Sequence, residues 1–431
     1  MKGFEETMAK YPSPVIFVPG IKGSSLRDEY PVDPENLWSV ARAALKLFER
    51  ITLHPFNNRY EAQEPARVVQ DQVFSLFYSE FIEELRHNLT MDPEEPVPVF
   101  PFAYDWRQPL EPVQKRLADF IEEVIERTSL LSHYNEDGYN KTTGKVNLVG
   151  HSMGSLIIAG HIGAAGLDRV DRVATIAGPF RGSLESVAAT TTGASTLTAS
   201  SREREAARVT PALYHLLPSF KGAVTNGTPD DLFDSGKWQT SILETLTSFI
   251  DRFKLPKADP ITATQLLSAM LELAKKHRQS IEGLKLPNPK IWLCIAGIDA
   301  NTRVGMSTST NNGRIFFNLS DEVNNYGGVD SKAPATVETG DGTVPYLGAQ
   351  SGFIPPEQIV CVTPKDFEFF EFKDKILDNV GLHANLPNMN LVQRLVTSHF
   401  LDKKQGSLGG RPGPGISLAE WDPPIPKDRL T

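Results

Sequence analysis

Apolar residues gather in six short runs along the chain. They are "SPVIFVPG" (13–20), "VPVFPFAYDW" (97–106), "GKVNLVG" (144–150), "VDRVATIAG" (170–178), "PKIWLCIAG" (289–297) and "EQIVCVTP" (357–364). Each is apolar at nearly every position, which predicts strands buried on both faces of a parallel sheet. Between them the period lengthens to that of a helix. Residues 72–89 carry Val73, Phe77, Phe81 and Leu85 at helical spacing. Residues 110–131 carry Val113, Leu117, Phe120, Val124 and Ile125, with Glu and Arg on the opposite face. Helices are also expected over 155–165 and 388–400. Strand–helix–strand alternation predicts an α/β architecture with a mostly parallel, doubly wound sheet.

The rhythm breaks between residues 183 and 289. That stretch opens on "ATTTGASTLTASSRERE" (189–205), read as a polar loop, and continues with helical patterns at 241–255 and 264–278. The expected organisation is a first core part over 1–182, an inserted helical lid over 183–289, a second core part over 290–405 and a tail over 406–431. In the second core part, "GRIFFNLSDE" (313–322) reads as one arm of a hairpin. The tail is rich in Gly and Pro and is expected to be extended or loosely ordered.

Composition narrows the partners. A net charge of −9 argues against nucleic acid, because phosphate binding needs a basic face. The two cysteines, Cys294 and Cys361, lie inside apolar runs, which suits buried thiols in a reducing compartment. The opening residues carry acids and a proline where a secretory leader needs an apolar core, so a cytoplasmic location is expected. No run is long and apolar enough for a transmembrane helix, so contact with lipid would be transient and at a membrane surface. No histidine–carboxylate spacing suggests a metal, and "FDSGKW" lacks the upstream glycine of a phosphate loop. No cofactor is expected.

One motif brings chemistry. Gly150-His151-Ser152-Met153-Gly154 is G-x-S-x-G, placed where a strand meets a helix. A serine on such a turn is pushed to the edge of the sheet, and small neighbours allow the sharp backbone. Ser152 is therefore the candidate nucleophile. It needs a base, because a free hydroxyl attacks poorly at neutral pH. The acid and then the base follow the serine in chain order on this kind of sheet. Asp341 in "ETGDGTVPY" and Asp299 in "GIDANT" both qualify as the acid. His383 lies after the last strand and before the final helix, where the base belongs. His399 reads as a helix-end histidine, and His151 would point the wrong way. Oxyanion donors are expected from the Met153 N–H and from the loop "VPGIKGSSL", at Ile21 with Lys22 second. Lys22, Trp106 and Phe180 are the candidate substrate contacts. In "YDWR", Asp105 and Arg107 could pair as a brace.

Taken in order, "FVPGIKGSSL", "YDWR", "GHSMGS", "GPFRGS", "GDGTVP" and the late histidine resemble the lecithin:cholesterol acyltransferase-like branch of the α/β-hydrolases. The resemblance runs from residue 15 to about residue 395. It implies the α/β-hydrolase fold and a triad falling on Ser152, Asp341 and His383. It also implies chemistry on acyl esters, often of lipids, with water or an alcohol accepting the acyl group. The expected activity is that of a serine esterase or lipase. The alternatives are an O-acyltransferase and a catalytically silent binding module on the same fold.

Overall fold

A computed structural model of the chain describes residues 10–39, 42, 51–52, 67–193, 201–253, 261–319, 335–367, 381–401 and 408–430. Eleven strands are found among them. β1 (Val15–Val18), β5 (Val99–Pro101), β6 (Val146–His151), β7 (Val170–Ile176), β8 (Trp292–Gly297) and β11 (Val360–Val362) form one sheet. Their order is β11-β8-β7-β6-β1-β5, and every pair is parallel. Each coincides with one of the six apolar runs, β6 running one residue beyond its own to His151. The chain crosses from β5 on one side of β1 to β6 on the other. Crevices at the carboxyl ends of such strands are where α/β folds place ligands.

Alternate residues of β1 face opposite ways. Ile16 and Val18 join a core cluster with Val113 and Leu117 of α2 (Leu110–Ser129) and Leu156 and Ile157 of α3 (Met153–Ala165). Val15 and Phe17 join a second cluster with Phe81 and Leu85 of α1 (Ser75–Leu89) and Val392 and Leu395 of α7 (Asn390–Leu401). Helices therefore cover both faces. This is the α/β-hydrolase architecture.

The segment between β7 and β8 has an apolar cluster of its own. Leu184 and Val187 of α4 (Leu184–Thr192) pack there with Ile242 and Leu246 of α5 (Thr240–Phe253) and Leu267 and Leu271 of α6 (Ala263–Glu282). Met306 and Phe317 join them, Phe317 from the antiparallel hairpin β9 (Ser307–Asn311) and β10 (Arg314–Asn318). The polar stretch 189–205, expected to be a loop, is helical at both ends: α4 reaches Thr192 and a further helix spans Ser201–Arg208. Thr190, Thr191 and Thr192 satisfy themselves against the preceding turn, as where Thr190 Oγ1 donates to the carbonyls of Ser186 and Val187. Residues 194–200 lie outside the described residues.

Two further expectations need correction. Val73 belongs to β4 (Val68–Val73), which with β2 (Ser24–Asp28) and β3 (Glu35–Trp38) makes a small antiparallel sheet; the helix starts only at Ser75. The tail is not loose. Arg411 exchanges both backbone bonds with Cys361 on the open edge of β11, at 2.7 and 3.1 Å. Leu408, Trp421, Ile425 and Leu430 are buried in the second cluster, and the Trp421 indole N–H donates to the Ile359 carbonyl at 2.9 Å. These four apolar residues have no regular spacing, so periodicity does not reveal them. Because Trp421 is wholly buried, Trp421→Ala is expected to cost roughly 3–5 kcal/mol in urea unfolding; an unchanged midpoint would mean that the tail does not close the sheet edge.

Candidate active site

Ser152 sits between β6 and α3 with φ 53° and ψ −126°, a strained backbone for a residue with a Cβ. What holds it there is the close approach of α3 to β1. A methyl on Gly154 would stand 2.2 Å from the Val18 carbonyl oxygen, so only glycine fits. The register pairs Val18 with Gly150, and the loop after β1 therefore lies level with the serine. A methyl on Gly20 would stand 3.0 Å from Ser152 Cβ.

Three loops converge on this turn. His383, on the short helix Leu382–Asn385, lies with Nε2 2.9 Å from Ser152 Oγ and Nδ1 2.7 Å from Asp341 Oδ2. With a carboxylate on one side and a hydroxyl on the other, the network assigns the proton to Nδ1 and leaves Nε2 to accept. The other Asp341 oxygen accepts the N–H groups of Thr343 and Val344 at 2.9 and 2.7 Å. The His383 N–H also donates to the Asp341 carbonyl, at 3.1 Å. A methyl on Gly297 would meet Asp341 Cβ at 2.5 Å, so the end of β8 presses directly on the acid loop. All three side chains are buried. The chain of bonds can take a proton from the serine hydroxyl and stabilise the resulting imidazolium.

The structure separates the alternatives. Asp299 lies in the loop after β8 with φ 66°, its N–H facing Thr339 Oγ1 at 2.8 Å, and burial pushes its carboxyl pKa up. Asp341, not Asp299, faces the histidine. His399 Nε2 bonds the Ile291 carbonyl at 3.0 Å, from within α7. The His151 ring nitrogens face other groups: Nδ1 lies 2.9 Å from Tyr78 Oη and Nε2 3.0 Å from the His383 carbonyl oxygen.

On the oxyanion side, Met153 is the first residue of α3, so its N–H has no partner within the helix. In the loop after β1, Gly23 N–H closes a turn onto the Gly20 carbonyl at 3.1 Å, and Lys22 has the positive φ of 62° that a type II turn needs. Ile21 and Lys22 form the outer corner of that turn. The Gly20 N–H is already committed to Tyr78 Oη, at 3.2 Å.

The candidate substrate contacts fare differently. The Lys22 ammonium is paired with Glu203 at 2.7 Å and lies 5.8 Å from the Trp38 ring centre. Trp106 and Phe180 are both buried. Trp106 packs edge-on against Trp38 and donates to the Ser24 carbonyl at 3.1 Å. Phe180 packs against Phe353 and Trp292. "YDWR" clamps the loop after β1. Tyr104 Oη donates to the Pro19 carbonyl at 2.9 Å, and Arg107 holds Asp105 with two bonds of 2.9 Å. The residue that the pattern missed is Tyr78. It lies one place from Phe77 on α1, and its signal was a polar-tipped aromatic beside an apolar face.

The sequence profile of the lecithin:cholesterol acyltransferase family matches residues 75–352, well over half of the chain. The chain belongs to that family. It is thus an enzyme of the α/β-hydrolase type acting on acyl esters, by hydrolysis or by acyl transfer. No curated protein matches the sequence. Among solved structures, a chain of the Tle4–Tli4 complex superposes with a TM-score of 0.58 at 15% identity, over 79% of this chain and 89% of that one. At that identity the likeness concerns the fold.

The Asp105–Arg107 brace gives a stability test. Burial raises the Asp105 pKa, but the Arg107 charge and the hydrogen bonds from Arg107 and Gln108 outweigh it, and the net shift is downward. A depressed carboxylate pKa means the pair stabilises the fold above the unfolded-chain value, and the contribution fades as pH falls through the folded value. Asp105→Asn is expected to cost roughly 3–5 kcal/mol at pH 7 by leaving Arg107 buried without its partner, and less as pH drops below about 4. A deficit independent of pH would contradict the pairing.

Proposed function

We propose that the protein is a serine esterase that cleaves acyl esters of lipid type. The observation that carries the reading is the hydrogen-bonded series Ser152–His383–Asp341 on the strained turn after β6. In the mechanism, His383 Nε2 takes the Ser152 hydroxyl proton as Oγ attacks the ester carbonyl carbon. The oxyanion is held by the N–H groups of Met153 and Ile21. His383 returns the proton to the departing alcohol, and an acyl-serine remains. A water molecule, deprotonated by His383, then releases the acid and restores the serine. Asp341 keeps the imidazole in the required tautomer and stabilises its charged form.

The segment 183–289 is the proposed cap over this site. The ion pair of Lys22 with Glu203, across from the loop after β1, supports that reading. An alcohol in place of water in the second half would give acyl transfer, and how far the cap excludes water decides between them. Among the described residues no helix is long and apolar enough to cross a membrane, so a lipid ester would be met at a surface. Two free, buried thiols, Cys294 and Cys361, suit a reducing, cytoplasmic setting.

Ester hydrolysis across a series of acyl chain lengths tests the proposal. Ser152→Ala is expected to lose at least about a thousandfold in kcat. Asp341→Asn is expected to lose a similar or somewhat smaller factor, whereas Asp299→Asn stays within about threefold. Turnover retained by folded Ser152→Ala, or lost equally in the two aspartate variants, would contradict the assignment. Adding a long-chain alcohol and analysing products separates hydrolysis from transfer.

A further inference from the structure

Two buried polar side chains beside the triad take no part in the mechanism above. Tyr78 Oη receives the Gly20 N–H at 3.2 Å and lies 2.9 Å from His151 Nδ1. His151 Nε2 in turn lies 3.0 Å from the carbonyl oxygen of His383. The last acceptor is unambiguous, so His151 carries its proton on Nε2 and donates it there. Nδ1 is then an acceptor, and the Tyr78 hydroxyl donates to it. The result is one unbranched series from the loop after β1, through α1 and the β6 turn, to the backbone of the base. Both side chains are buried. A second tie runs in parallel: Asn388 Nδ2 donates to the Phe77 carbonyl at 2.9 Å.

Resting on the proposed function, we infer that Tyr78 and His151 are positioning residues that fix the oxyanion loop and the catalytic base relative to each other. Three points of geometry support this. The Tyr78 hydroxyl removes the Gly20 N–H from the oxyanion site and so leaves the corner of the turn, with Ile21, to face the substrate. The His383 main chain is held on both sides, its N–H by the Asp341 carbonyl and its carbonyl by His151. The His151 ring also stands 5.0 Å from the His383 ring. A charge there would oppose the imidazolium that forms during acyl transfer. Burial, with the neighbouring His383 adding to it, pushes the His151 pKa down to about 3, so the ring stays neutral. The arrangement serves the transition state more than substrate binding. Gly20 and His383 must both hold their places when charge develops, whereas the polar atoms of Tyr78 and His151 are engaged with protein groups.

The test uses the full chain and three variants. Tyr78→Phe removes one oxygen atom. His151→Gln places an amide N–H near the position of Nε2 and keeps the bond to the His383 carbonyl. His151→Leu removes both bonds. Turnover of a short-chain ester and the rate of phosphonylation by a small fluorophosphonate are measured alongside circular dichroism and thermal melting. Tyr78→Phe is expected to lower kcat about tenfold with KM within about twofold, and to slow labelling by a similar factor. His151→Leu is expected to lose about a hundredfold in kcat, with about a tenfold recovery in His151→Gln. Tyr78→Phe combined with His151→Leu is expected to lose no more than His151→Leu alone, because both break one series. Folded Tyr78→Phe with wild-type kcat, losses that multiply in the double variant, or losses confined to KM would overturn the inference. If Tyr78→Phe fails to fold, His151→Leu against His151→Gln decides it: equal activities overturn the inference. Wild-type enzyme that takes no label at Ser152 would instead defeat the triad reading itself, so the two failures are distinguishable.

Discussion

The whole site depends on one steric constraint, the contact between the first turn of α3 and the carboxyl end of β1. Gly154 lets the helix backbone come against Val18, and that approach leaves Ser152 no ordinary conformation. The strained serine is the consequence of two well-buried elements meeting, not of any local preference. Burial of β1, β6 and α3 sustains it, since no residue from Val146 to Ile162 is exposed to solvent. A side chain at residue 154 would push the helix outward, and the hydroxyl would leave the reach of His383.

The remaining site residues come from loops, and each loop is tied to rigid structure by backbone groups. The acid loop is pressed against Gly297, at the end of β8, and its carboxylate is clamped by two N–H donors. The base is fixed through its own peptide groups as well as its ring. The loop after β1 is held from one side by Tyr104 and Trp106 and from the other by Tyr78. "YDWR" therefore braces the stretch that follows β1. Its ion pair keeps the short stretch in shape while the aromatic residues do the holding.

The six sheet strands were legible because strands buried on both faces read as apolar runs. The serine turn was legible for a similar reason, since few residue types tolerate that backbone. The antiparallel β2–β4 sheet was not. "SSLRD" is polar at four of its five positions although mostly buried, and "VVQDQV" is polar at three of six on a strand at the sheet edge, so neither reads as an apolar run. The tail was misread because Trp421 and Ile425 are anchored by tertiary contact alone, which leaves no period. The acid showed the limit most clearly. Asp299 and Asp341 both lie in loops after β8, and the isolated bridges pairing Ala300 with Gly340 and Asp341 bring their loops side by side. Which carboxylate turns to His383 is set by the Asp341–Val344 turn, a detail beyond pattern reading. Tyr78 was hidden because a hydroxyl's partner, unlike a buried ring, leaves no trace in spacing.

The most direct measurement is to quench a reaction with an activated long-chain ester within the first turnover, digest the protein and weigh the peptide that contains "GHSMG". The account predicts one added acyl group on that peptide, on Ser152, that decays at the rate of turnover. An acyl group on any other residue, or none during active turnover, would contradict it.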